Sequence, residues 1–536
     1  MKCKKITAIG LLLLLLTGCG RGGENQPALP EGNQSQQEQV IDYGATLNLY
    51  AYAPDTLNPL ITGYRCNVEM LGLIYEGLFC TEQDFTASPV LASGYDSNAD
   101  NSQYTVYLKS GVRFHDGSGF DANDVIFTMD RMRQYQSPFA VCLDNVQRYY
   151  ASGNAVVFEL KQPQANFVNL LDFPILPDNV PSGGFAKESG AFVPVGTGKY
   201  KYDHETEYKR LMLRWNADWH GGNAAQTKHY IEQIRVSYIK DKDTGVYSFD
   251  AGELDLLTTS VFTWGNHSIT RTVQTIEHTN NLYAFVGVNH RNTALGDAAV
   301  RRALNRAIDK ARLVNDVMFD HAAAADAPVN PEAYYFDAQT QTPVFDTEAA
   351  KAILAEAGWL DLNGDGILEK VFDGRQQALS FELLYNNDNA QRQTIAAYMQ
   401  SAFAAIGVQL KLLPVPFETY QSRIGAAQYD LYLGQMDLRS DGALDFLLRT
   451  DGGQNTFGYA GADGELDVVS RAKSREQIIA AYGRLQSKLA EHMPVIGLFY
   501  GKSAVLQGTR VQGDIHPSRT GPFTGMEALY FVDKKQ

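Results

Sequence analysis

The clearest change of hydrophobic period in the chain lies between residues 103 and 132. Tyr104, Val106 and Leu108 alternate with more polar neighbours, and this period of two is typical of a half-buried strand. A Ser-Gly pair interrupts the alternation, and the apolar positions that follow predict a second short strand at 112–114. The segment is therefore expected to begin with two successive strands.

A turn and a helix are predicted to complete the same segment. The letters HDGSG are dense in turn formers. Asp121 then has the chemistry of an N-cap, and Asp124, three residues later, favours the exposed N–H groups of a helix N-terminus. Val125, Met129 and Met132 fall on one face of that helix.

The second half of the chain alternates between helical and strand periods. Apolar residues at helical spacing predict helices at 297–308, 346–357, 395–405 and 478–489. Buried strands are predicted at 408–412 and 493–500. Arg301 and Asp309, on the first of these helices, are interpreted as a solvated or internally paired face rather than as catalytic residues.

The N-terminus has the pattern of a bacterial export signal. Lysines precede an apolar run at 6–16 that is too short to span a bilayer. The letters LTGC match the lipobox of bacterial lipoproteins, which makes Cys19 the predicted lipid acceptor and residues 1–19 the signal peptide. A plain signal with an incidental cysteine is the alternative. Residues 20–44 are rich in Gly, Gln, Asn, Ser and Glu and predict a flexible tether.

Length and charge limit the function classes. At 536 residues the chain is too long for one core and suits two or three domains. Its formal net charge is -15, which argues against nucleic acid and anionic membrane as partners. Solubility outside the cell explains this charge, and attraction of cationic ligands is the alternative.

Three cysteines remain once the signal is removed and Cys19 is lipidated: Cys66, Cys80 and Cys142. An odd number outside the cytoplasm leaves at least one of them without a disulfide. A disulfide between Cys66 and Cys80 is one interpretation, and three buried structural thiols are the other.

One loop has part of the pattern of a calcium site. Asp361, Asn363 and Asp365 stand at positions 1, 3 and 5 of such a loop, with a glycine at position 6 and Glu369 at position 9. Phe372 occupies position 12, where a bidentate Glu is needed. A plain turn is therefore the favoured interpretation, and no metal or cofactor is expected.

No catalytic constellation is recognisable. The nucleophile pattern G-x-S-x-G and the zinc pattern H-E-x-x-H do not occur. His115 belongs to the turn after the predicted strands and is expected to bond to backbone. An extracytoplasmic hydrolase is therefore disfavoured, and the protein is not expected to be an enzyme.

The segment 103–132 also resembles a signature of the bacterial family 5 extracellular solute-binding proteins. The residues that match that signature are Leu108, Gly111-Val112, Phe114-His115-Asp116-Gly117, Ala122 and Asp124-Val125. A second hallmark of the family, "vR-Al--AiDr", is matched at 300–309. The resemblance covers nearly everything from residue 46 onward.

The resemblance implies an α/β fold with two lobes, of the periplasmic-binding-protein type (cluster C, three domains), and two hinge crossings near residues 275 and 487. The domains it implies are lobe 1 at 45–77, 195–275 and 487–536, an extra domain of lobe 1 at 78–194, and lobe 2 at 276–486.

The resemblance also implies the function of the receptor of an ABC importer. Such a receptor captures a small solute, here expected to be a short peptide, by closing its lobes, and delivers it to a membrane permease. The expected partners are therefore the ligand and the permease, with the protein monomeric and lipid-anchored outside the cytoplasmic membrane. A nickel chelate, an opine or a glycan-derived ligand is the alternative.

In peptide-binding relatives, an Asp within a "gW--D---DP" segment pairs with the ligand's α-ammonium. The corresponding stretch here is 429–442, in which Asp437 and Asp441 keep the spacing of the two acids, the Trp is absent and Gly442 replaces Pro. The resemblance therefore implies Asp437 as the ligand anchor, with Arg439 and Asp441 as alternatives. A solvated loop without a ligand role is the other interpretation.

Four further residues are expected at the cleft. Arg392 lies where relatives offer a basic group to a ligand carboxylate, which the planar fork of Arg binds well; a surface arginine is the alternative. Tyr64, Arg65 and Trp264 are expected to line the cleft from lobe 1.

Overall fold

The computed structural model describes residues 41–186, 192–207, 210–221, 229–258, 268–340, 344–372, 374–519 and 521–532. Cys19, Trp264 and the expected signal peptide lie outside the described residues, as does the expected tether up to residue 40. Among the helices of the described ranges, none combines the length and the hydropathy that crossing a membrane requires.

The strands are numbered in chain order. They are β1 (Ile41–Asp42), β2 (Thr46–Tyr52), β3 (Phe79–Thr81), β4 (Ala87–Pro89), β5 (Ala92–Ser97), β6 (Gln103–Leu108), β7 (Val146–Ala151), β8 (Ala155–Leu160), β9 (Tyr200–Glu205), β10 (Arg210–Trp215), β11 (Gln233–Ile239), β12 (Leu256–Thr258), β13 (Val273–Val288), β14 (Ala322–Ala324), β15 (Glu369–Phe372), β16 (Arg375–Ala378), β17 (Ser380–Asn386), β18 (Gln409–Val415), β19 (Leu431–Asp437), β20 (Val495–Gly508), β21 (Val511–Gln512) and β22 (Tyr530–Val532).

The α-helices are numbered in the same way. They are α1 (Arg65–Leu71), α2 (Ala122–Gln134), α3 (Lys242–Asp250), α4 (Ala298–Arg306), α5 (Lys310–Met318), α6 (Thr347–Glu356), α7 (Ala390–Ala404), α8 (Phe417–Gly425), α9 (Asp445–Leu448), α10 (Asp463–Arg471) and α11 (Arg475–His492). Short 3-10 turns occur at Pro138–Leu143, Phe167–Leu170, Ser182–Phe185 and Met526–Ala528.

Buried residues form separate cores in two lobes. The cores of lobe 1 take their residues from 45–257 and 505–531. The cores of lobe 2 take theirs from 283–500, and Phe85 of lobe 1 joins them. The exact domain boundaries expected from the sequence, including an extra domain at 78–194, stay a prediction.

Two long strands connect the lobes. β13 and β20 are antiparallel from the pair Val273 and Gly508 to the pair Gly287 and Val495. In the large sheet they lie between β12 and β19, in the order β12-β20-β13-β19-β17-β18. The chain therefore crosses twice between the lobes, once along each strand.

Lobe 1 contains two four-stranded sheets. β2, β11, β10 and β9 form one sheet, and β5, β6, β8 and β7 form a second, fully antiparallel one. In the first sheet, β2 pairs in parallel with β11, which lies far from it in the sequence.

The predicted start of α2 is confirmed in detail. The side chain of Asp121 accepts from the backbone N–H of Asn123 at 2.7 Å, and that of Asp124 accepts from the backbone N–H of Asp121 at 2.8 Å. Val125 and Met129, on the inward face, are fully buried. Local side-chain chemistry therefore fixes where this helix begins.

The strand predicted at 112–114 is wrong. The structure has only an isolated bridge between Arg113 and Gly119 there. The backbone N–H of Phe114 donates to the carbonyl of Ser118, and the carbonyl of Val112 accepts from Phe120. The segment thus satisfies its own backbone groups in a tight loop and pairs with no neighbouring strand.

Of the two interpretations of Arg301, the solvated face is wrong and the internally bonded side chain is the one observed. Arg301 is only 5% exposed, and its guanidinium donates to backbone carbonyls. Asp309 does not continue the same helix, because α4 ends at Arg306 and Asp309 caps α5 by accepting from the N–H of Arg312 at 3.0 Å.

The cysteines form no disulfide within the described residues. Cys66, Cys80 and Cys142 are all thiols, which excludes the Cys66–Cys80 pairing. Cys66 is buried, but Cys80 and Cys142 are half-buried, so the alternative of three buried thiols is correct for Cys66 alone.

Candidate functional site

The segment 437–442 lies where the two lobes meet. It follows β19, which pairs with the hinge strand β13 so that Asp437 stands opposite Leu282. Asn281 of β13 holds the segment in place, because its side chain donates to the carbonyl of Leu438 at 2.9 Å. The hinge therefore fixes the position of the predicted ligand-binding residues.

Glycine at position 442 has a steric cause. Gly442 has a φ of 74°, a conformation that favours glycine. A Cβ there would come within 2.5 Å of the Tyr335 hydroxyl and 2.6 Å of the Tyr482 hydroxyl. Tyr482 uses that hydroxyl to donate to the carbonyl of Gly442 at 2.8 Å. The departure from the family's proline thus belongs to the packing of this loop.

Asp441 is buried and fully occupied by donors. Arg439 binds it with both arms of its fork, at 3.2 Å from Nε and 3.1 Å from Nη2. Gln164 of lobe 1 donates to the same carboxylate at 2.6 Å, and the side chain of Asp441 is 0% exposed. Asp441 therefore connects the two lobes, and its predicted contact with a ligand stays a prediction.

Asp437 has a cationic partner from lobe 1. Arg519 Nη2 lies 3.1 Å from Asp437 Oδ1, and Arg519 Nε donates to the hydroxyl of Ser440 at 2.8 Å. The side chain of Asp437 is 53% exposed, whereas that of Arg519 is 22% exposed. Its predicted role as the ligand anchor stays a prediction, but its charge is already balanced by an internal guanidinium.

A third carboxylate, Asp172, lies in the same region. It is half-buried, and burial raises its pKa to about 6, while the charge of Arg519 acts in the opposite direction. Burial, the charge of Asp172 and the opposing charge of Arg439 all act on the pKa of the Cys142 thiol. Asp172 is therefore close enough to Arg519 for the two charges to interact.

We call this group the interlobe charge cluster. Its members are Asp172, Asp437, Arg439, Asp441 and Arg519.

Further polar contacts join the lobes around the cluster. They are Arg475 with Asp84 at 3.3 Å and with Thr86 at 3.0 Å, Asn101 with the carbonyl of Ala472 at 2.9 Å, Lys473 with the carbonyl of Ser97 at 3.2 Å, and Tyr334 with Asn166 at 3.0 Å. Phe85 adds an apolar contact, because its ring packs edge-on against Tyr335 at 6.4 Å between centroids. The two lobes are thus in contact over a broad face.

Arg392 does not join the cluster. Its guanidinium donates to the side chain of Asn386, and it stacks over the ring of Tyr420 at 5.3 Å. These contacts are within lobe 2. Its predicted contact with a ligand carboxylate stays a prediction.

Tyr64 and Arg65 lie at the start of α1 on lobe 1. The ring of Tyr64 is 5.5 Å from that of Tyr52, and its residue is 45% exposed. Arg65 pairs with Glu69 at 3.3 Å. The charge of Arg65 also contributes to lowering the pKa of His278 on the hinge strand β13, although burial is the larger cause. Both residues are therefore near the hinge side of lobe 1.

The loop at 361–369 uses its oxygens to hold its own turn. Asp361 accepts from the backbone N–H groups of Gly364 and Gly366 at 2.7 and 3.1 Å. Glu369 accepts from the side chain of Asn363 at 2.8 Å. The described residues contain no group of three or more side chains arranged to hold a metal ion. These oxygens are thus engaged in the turn itself, and the interpretation of the loop as a plain turn stays a prediction.

His115 bonds to backbone, as predicted. Its ring Nε2 lies 3.0 Å from the carbonyl oxygen of Gly198. The backbone N–H of His115 donates to the carbonyl of Gly196 at 2.9 Å. The family motif at 103–132 thus joins the segment at 194–200 through His115, and its Tyr104 hydroxyl donates to the carbonyl of Gln164 at 2.7 Å.

Sequence reasoning missed three members of this site. Gln164 and Arg519 carry no local signal, because each gains its role from a partner far away in the chain. Asp172 does have one: it is the single charged residue in the apolar run at 167–176, FVNLLDFPIL. A charge in such a run is rarely placed without a partner or a function.

Comparison with known proteins shows the family. The model of the bacterial extracellular solute-binding proteins, family 5 Middle, matches residues 86–458. The oligopeptide-binding protein AppA of Bacillus subtilis is 26% identical over 545 residues, which cover 96% of this chain and 96% of that protein.

Solved structures share the fold. AppA from Bacillus subtilis in complex with a nonapeptide has a TM-score of 0.61 at 24% identity, and covers 92% of this chain and 100% of that chain. The murein tripeptide binding protein MppA, in its unliganded open form, has a TM-score of 0.75 at 20% identity, covering 92% and 99%. NikZ from Campylobacter jejuni with Ni(L-His) has a TM-score of 0.63 at 22% identity, covering 90% and 99%.

These likenesses confirm the predicted α/β fold of the two-lobed periplasmic-binding-protein type, with two hinge crossings. Both family motifs, at 103–132 and 300–309, lie within the residues that the family model matches. The chain belongs to the bacterial extracellular solute-binding proteins of family 5.

Proposed function

We propose that this protein is the receptor of an ABC importer and binds a short peptide between its lobes. The observation that carries the proposal is the charge cluster at the contact of two lobes that the strands β13 and β20 connect. AppA of Bacillus subtilis, similar over nearly its whole length, is named for oligopeptide binding. AppA is named for binding rather than for catalysis, which supports a receptor over an enzyme.

Ligand binding would be coupled to closure of the lobes. A ligand that touches both lobes favours the closed arrangement by its preferential affinity for that state. Contacts such as Arg475 with Asp84, whose side chains are 50% and 48% exposed, contribute at most about 1 kcal/mol each. Weak polar contacts of this kind suit a lobe contact that opens to release its ligand.

On this proposal, Asp437, Arg439 and Asp441 form the lobe 2 side of the binding cleft, while Tyr64, Arg65 and Trp264 contribute from lobe 1. Arg392 is kept as the basic group for a ligand carboxylate. The support is the position of the 437–442 segment at the lobe contact.

The protein is extracytoplasmic, as its family is extracellular. We further propose that lipid on Cys19 anchors a monomer to the outer face of the cytoplasmic membrane, beside the permease it serves. Two acyl chains give a firm anchor where one gives only marginal binding. The variant Cys19→Ala should move the protein from the membrane fraction to the soluble fraction, and a protein that stays with the membranes would contradict the anchor.

Calorimetric titration with defined peptides of two to nine residues tests the proposed function. Tight binding with intact recovery of the peptide supports a receptor, whereas cleavage with turnover supports a hydrolase. Ni(L-His) is the comparison ligand, because NikZ has the same fold and is solved with it. Binding of Ni(L-His) without binding of any peptide would replace the peptide by a metal chelate as the ligand.

A further inference from the structure

The two acids of the segment 437–442 are both paired with guanidiniums of the protein itself. Arg439 binds Asp441 with both arms of its fork, at 3.2 Å and 3.1 Å. Arg519 Nη2 lies 3.1 Å from Asp437 Oδ1, and this pair joins lobe 1 to lobe 2. Each acid of the segment therefore has an internal cation beside it where the lobes meet.

Arg519 is held at more than one point. Its Nε donates to the hydroxyl of Ser440 at 2.8 Å, so the guanidinium bonds to two residues of the same segment. Ser440 is only 8% exposed, and a buried hydroxyl that loses its donor is costly. The charge of Arg519 also acts on Asp172 of lobe 1. Moving the guanidinium away from Asp437 would therefore weaken three interactions at once.

Lobe 1 fixes the turn that carries Arg519. The backbone N–H of Ser518 donates to the carbonyl of Gly521 at 3.0 Å, and the N–H of Gly521 donates back to the carbonyl of Ser518 at 3.3 Å. The side chain of Gln83 donates to the carbonyl of Pro517 at 2.9 Å, which ties the turn to the rest of lobe 1. Because this backbone is already ordered, placing Arg519 against lobe 2 costs little further freedom.

An ammonium group of a ligand that approached Asp437 would meet a like charge at the same carboxylate. Two cations repel each other, and the repulsion is stronger where water is partly excluded. The ligand would also compete with a group attached to the protein, whose effective concentration at the carboxylate is far above that of a free molecule. An ammonium on the ligand therefore gains little from Asp437.

We propose that Arg519 determines specificity: it neutralises Asp437 from within the protein, so the receptor accepts peptides with a blocked amino terminus as well as free ones. The ligand class is a peptide chain that needs no ammonium group, which includes N-acylated and cyclic peptides. The inference rests on the proposed function and concerns the same cleft. It gives Asp437 an internal partner in place of the role of ligand anchor expected from the sequence.

Two synthetic peptide pools and native mass spectrometry of the full protein test the proposal. Both pools contain the same sequences without Lys and Arg, one with free amino termini and the other N-acetylated. The wild type should retain the two pools within about threefold of each other, because a terminal charge without a partner contributes little. A larger preference for the free pool would overturn the proposal.

Replacement of Arg519 should create the preference that the wild type lacks. Arg519→Met leaves Asp437 without its cation, so the free pool should be retained at least about fivefold better than the acetylated pool. Adding Asp437→Asn to that variant should return the ratio to the wild-type value, which identifies the carboxylate concerned. Arg519→Lys keeps the charge and should keep the wild-type ratio. An unchanged ratio in Arg519→Met contradicts the proposal, and the wild-type comparison decides alone if that variant folds poorly.

Arg475→Met is the matched control. Arg475 also joins the lobes, through Asp84 at 3.3 Å, and within the described residues it makes no contact with the segment 437–442. Its replacement should change the retention of both pools by the same factor. A preference as large as that of Arg519→Met would assign the effect to a loosened lobe contact and overturn the proposal.

The same measurement separates this inference from the proposed function. A protein that retains neither pool contradicts the peptide function itself, and the inference falls with it. Retention of the free pool alone leaves the peptide function standing and overturns only the role of Arg519.

Discussion

Arg301 lies inside lobe 2 and, within the described residues, forms no direct ion pair with a carboxylate. Its guanidinium donates to the carbonyls of Leu295 and Gly296 at 2.7 and 2.8 Å, and to those of His492 and Met493 at 2.6 and 3.0 Å. Burial lowers its pKa to about 10, so it remains charged at neutral pH. One side chain thereby joins the start of α4 to the end of α11 and the beginning of β20.

We expect Arg301→Lys to lower the free energy of unfolding by about 2–4 kcal/mol, because an ammonium cannot reproduce the planar fork and leaves buried carbonyls without donors. Chemical denaturation followed by circular dichroism measures the change. Arg302→Lys is the control, since Arg302 makes only an exposed contact with the carbonyl of Glu491 at 3.4 Å. Equal losses in the two variants would contradict this role.

Asp172 should make stability depend on pH. Burial raises its pKa from the ordinary 3.8 to about 6 in the folded protein, so folding favours the protonated form. This group therefore opposes folding above about pH 6, and its unfavourable contribution disappears as the pH falls towards 4. We expect Asp172→Asn to stabilise the ligand-free protein by about 1–3 kcal/mol at pH 7.5, with little effect at pH 4.

Thermal unfolding at the two pH values tests this expectation. Asp437→Asn is the control, because the Asp437 side chain is 53% exposed and its replacement should change the unfolding temperature little at either pH. A gain for Asp172→Asn that is the same at pH 7.5 and pH 4 would show that its cause is not the buried charge.

At the residue scale, the sequence singles out three of the five members of the interlobe charge cluster. The motif comparison finds Asp437, Arg439 and Asp441, because these residues lie in one continuous segment. It does not find Gln164, which is separated from Asp441 by 277 positions in the chain. The pairing of Asp437 with Arg519 also depends on a contact between lobes, which no local pattern encodes.

At the element scale, helix starts are predicted well because capping is local. Asp121, Asp297 and Asp346 each accept from a backbone N–H of the first helical turn. The hinge strand β13 is not among the predicted strands, since the polar residues at 278–281 interrupt its hydrophobic pattern. The side chains of Asn281 and Thr279 bond to Leu438 and Glu332 of lobe 2, and the register shifts between Thr279 and Tyr283.

The first turn of α2 provides a prediction at this scale. Asp124 is only 4% exposed, and its carboxylate accepts from the backbone N–H groups of Asp121 and Asp178, each at 2.8 Å. Asp124→Ala should destabilise the protein by about 2–4 kcal/mol, because two partly buried backbone N–H groups lose their charged acceptor. Asp121→Ala removes only the exposed half of the capping box and should cost about 1 kcal/mol.

Denaturant titration of both variants measures the difference. The two residues cap the same helix, so the comparison separates burial from capping. A loss for Asp124→Ala no larger than that for Asp121→Ala would mean that the link to Asp178 contributes nothing to stability.

At the scale of the whole molecule, lobe closure depends on side chains that reach across the contact. Gln164 is the only residue of lobe 1, among those described, whose side chain donates directly to the buried carboxylate of Asp441. Hydrogen bonds to a charged group contribute about 1.5–3 kcal/mol. Because this bond exists only when the lobes meet, its loss should shift the population towards the open form rather than unfold either lobe.

Gln164→Ala should therefore release a bound peptide about 10–100 times faster than the wild type, in proportion to a bond of about 1.5–3 kcal/mol. Its unfolding temperature without ligand should change little, since Arg439 still neutralises Asp441 within lobe 2. Stopped-flow dissociation measures the rate, and small-angle X-ray scattering measures the larger radius of the open form. Gln162→Ala is the matched control, because that side chain is exposed on the same segment. Equal release rates in Gln164→Ala, Gln162→Ala and the wild type would show that this bond does not hold the lobes together.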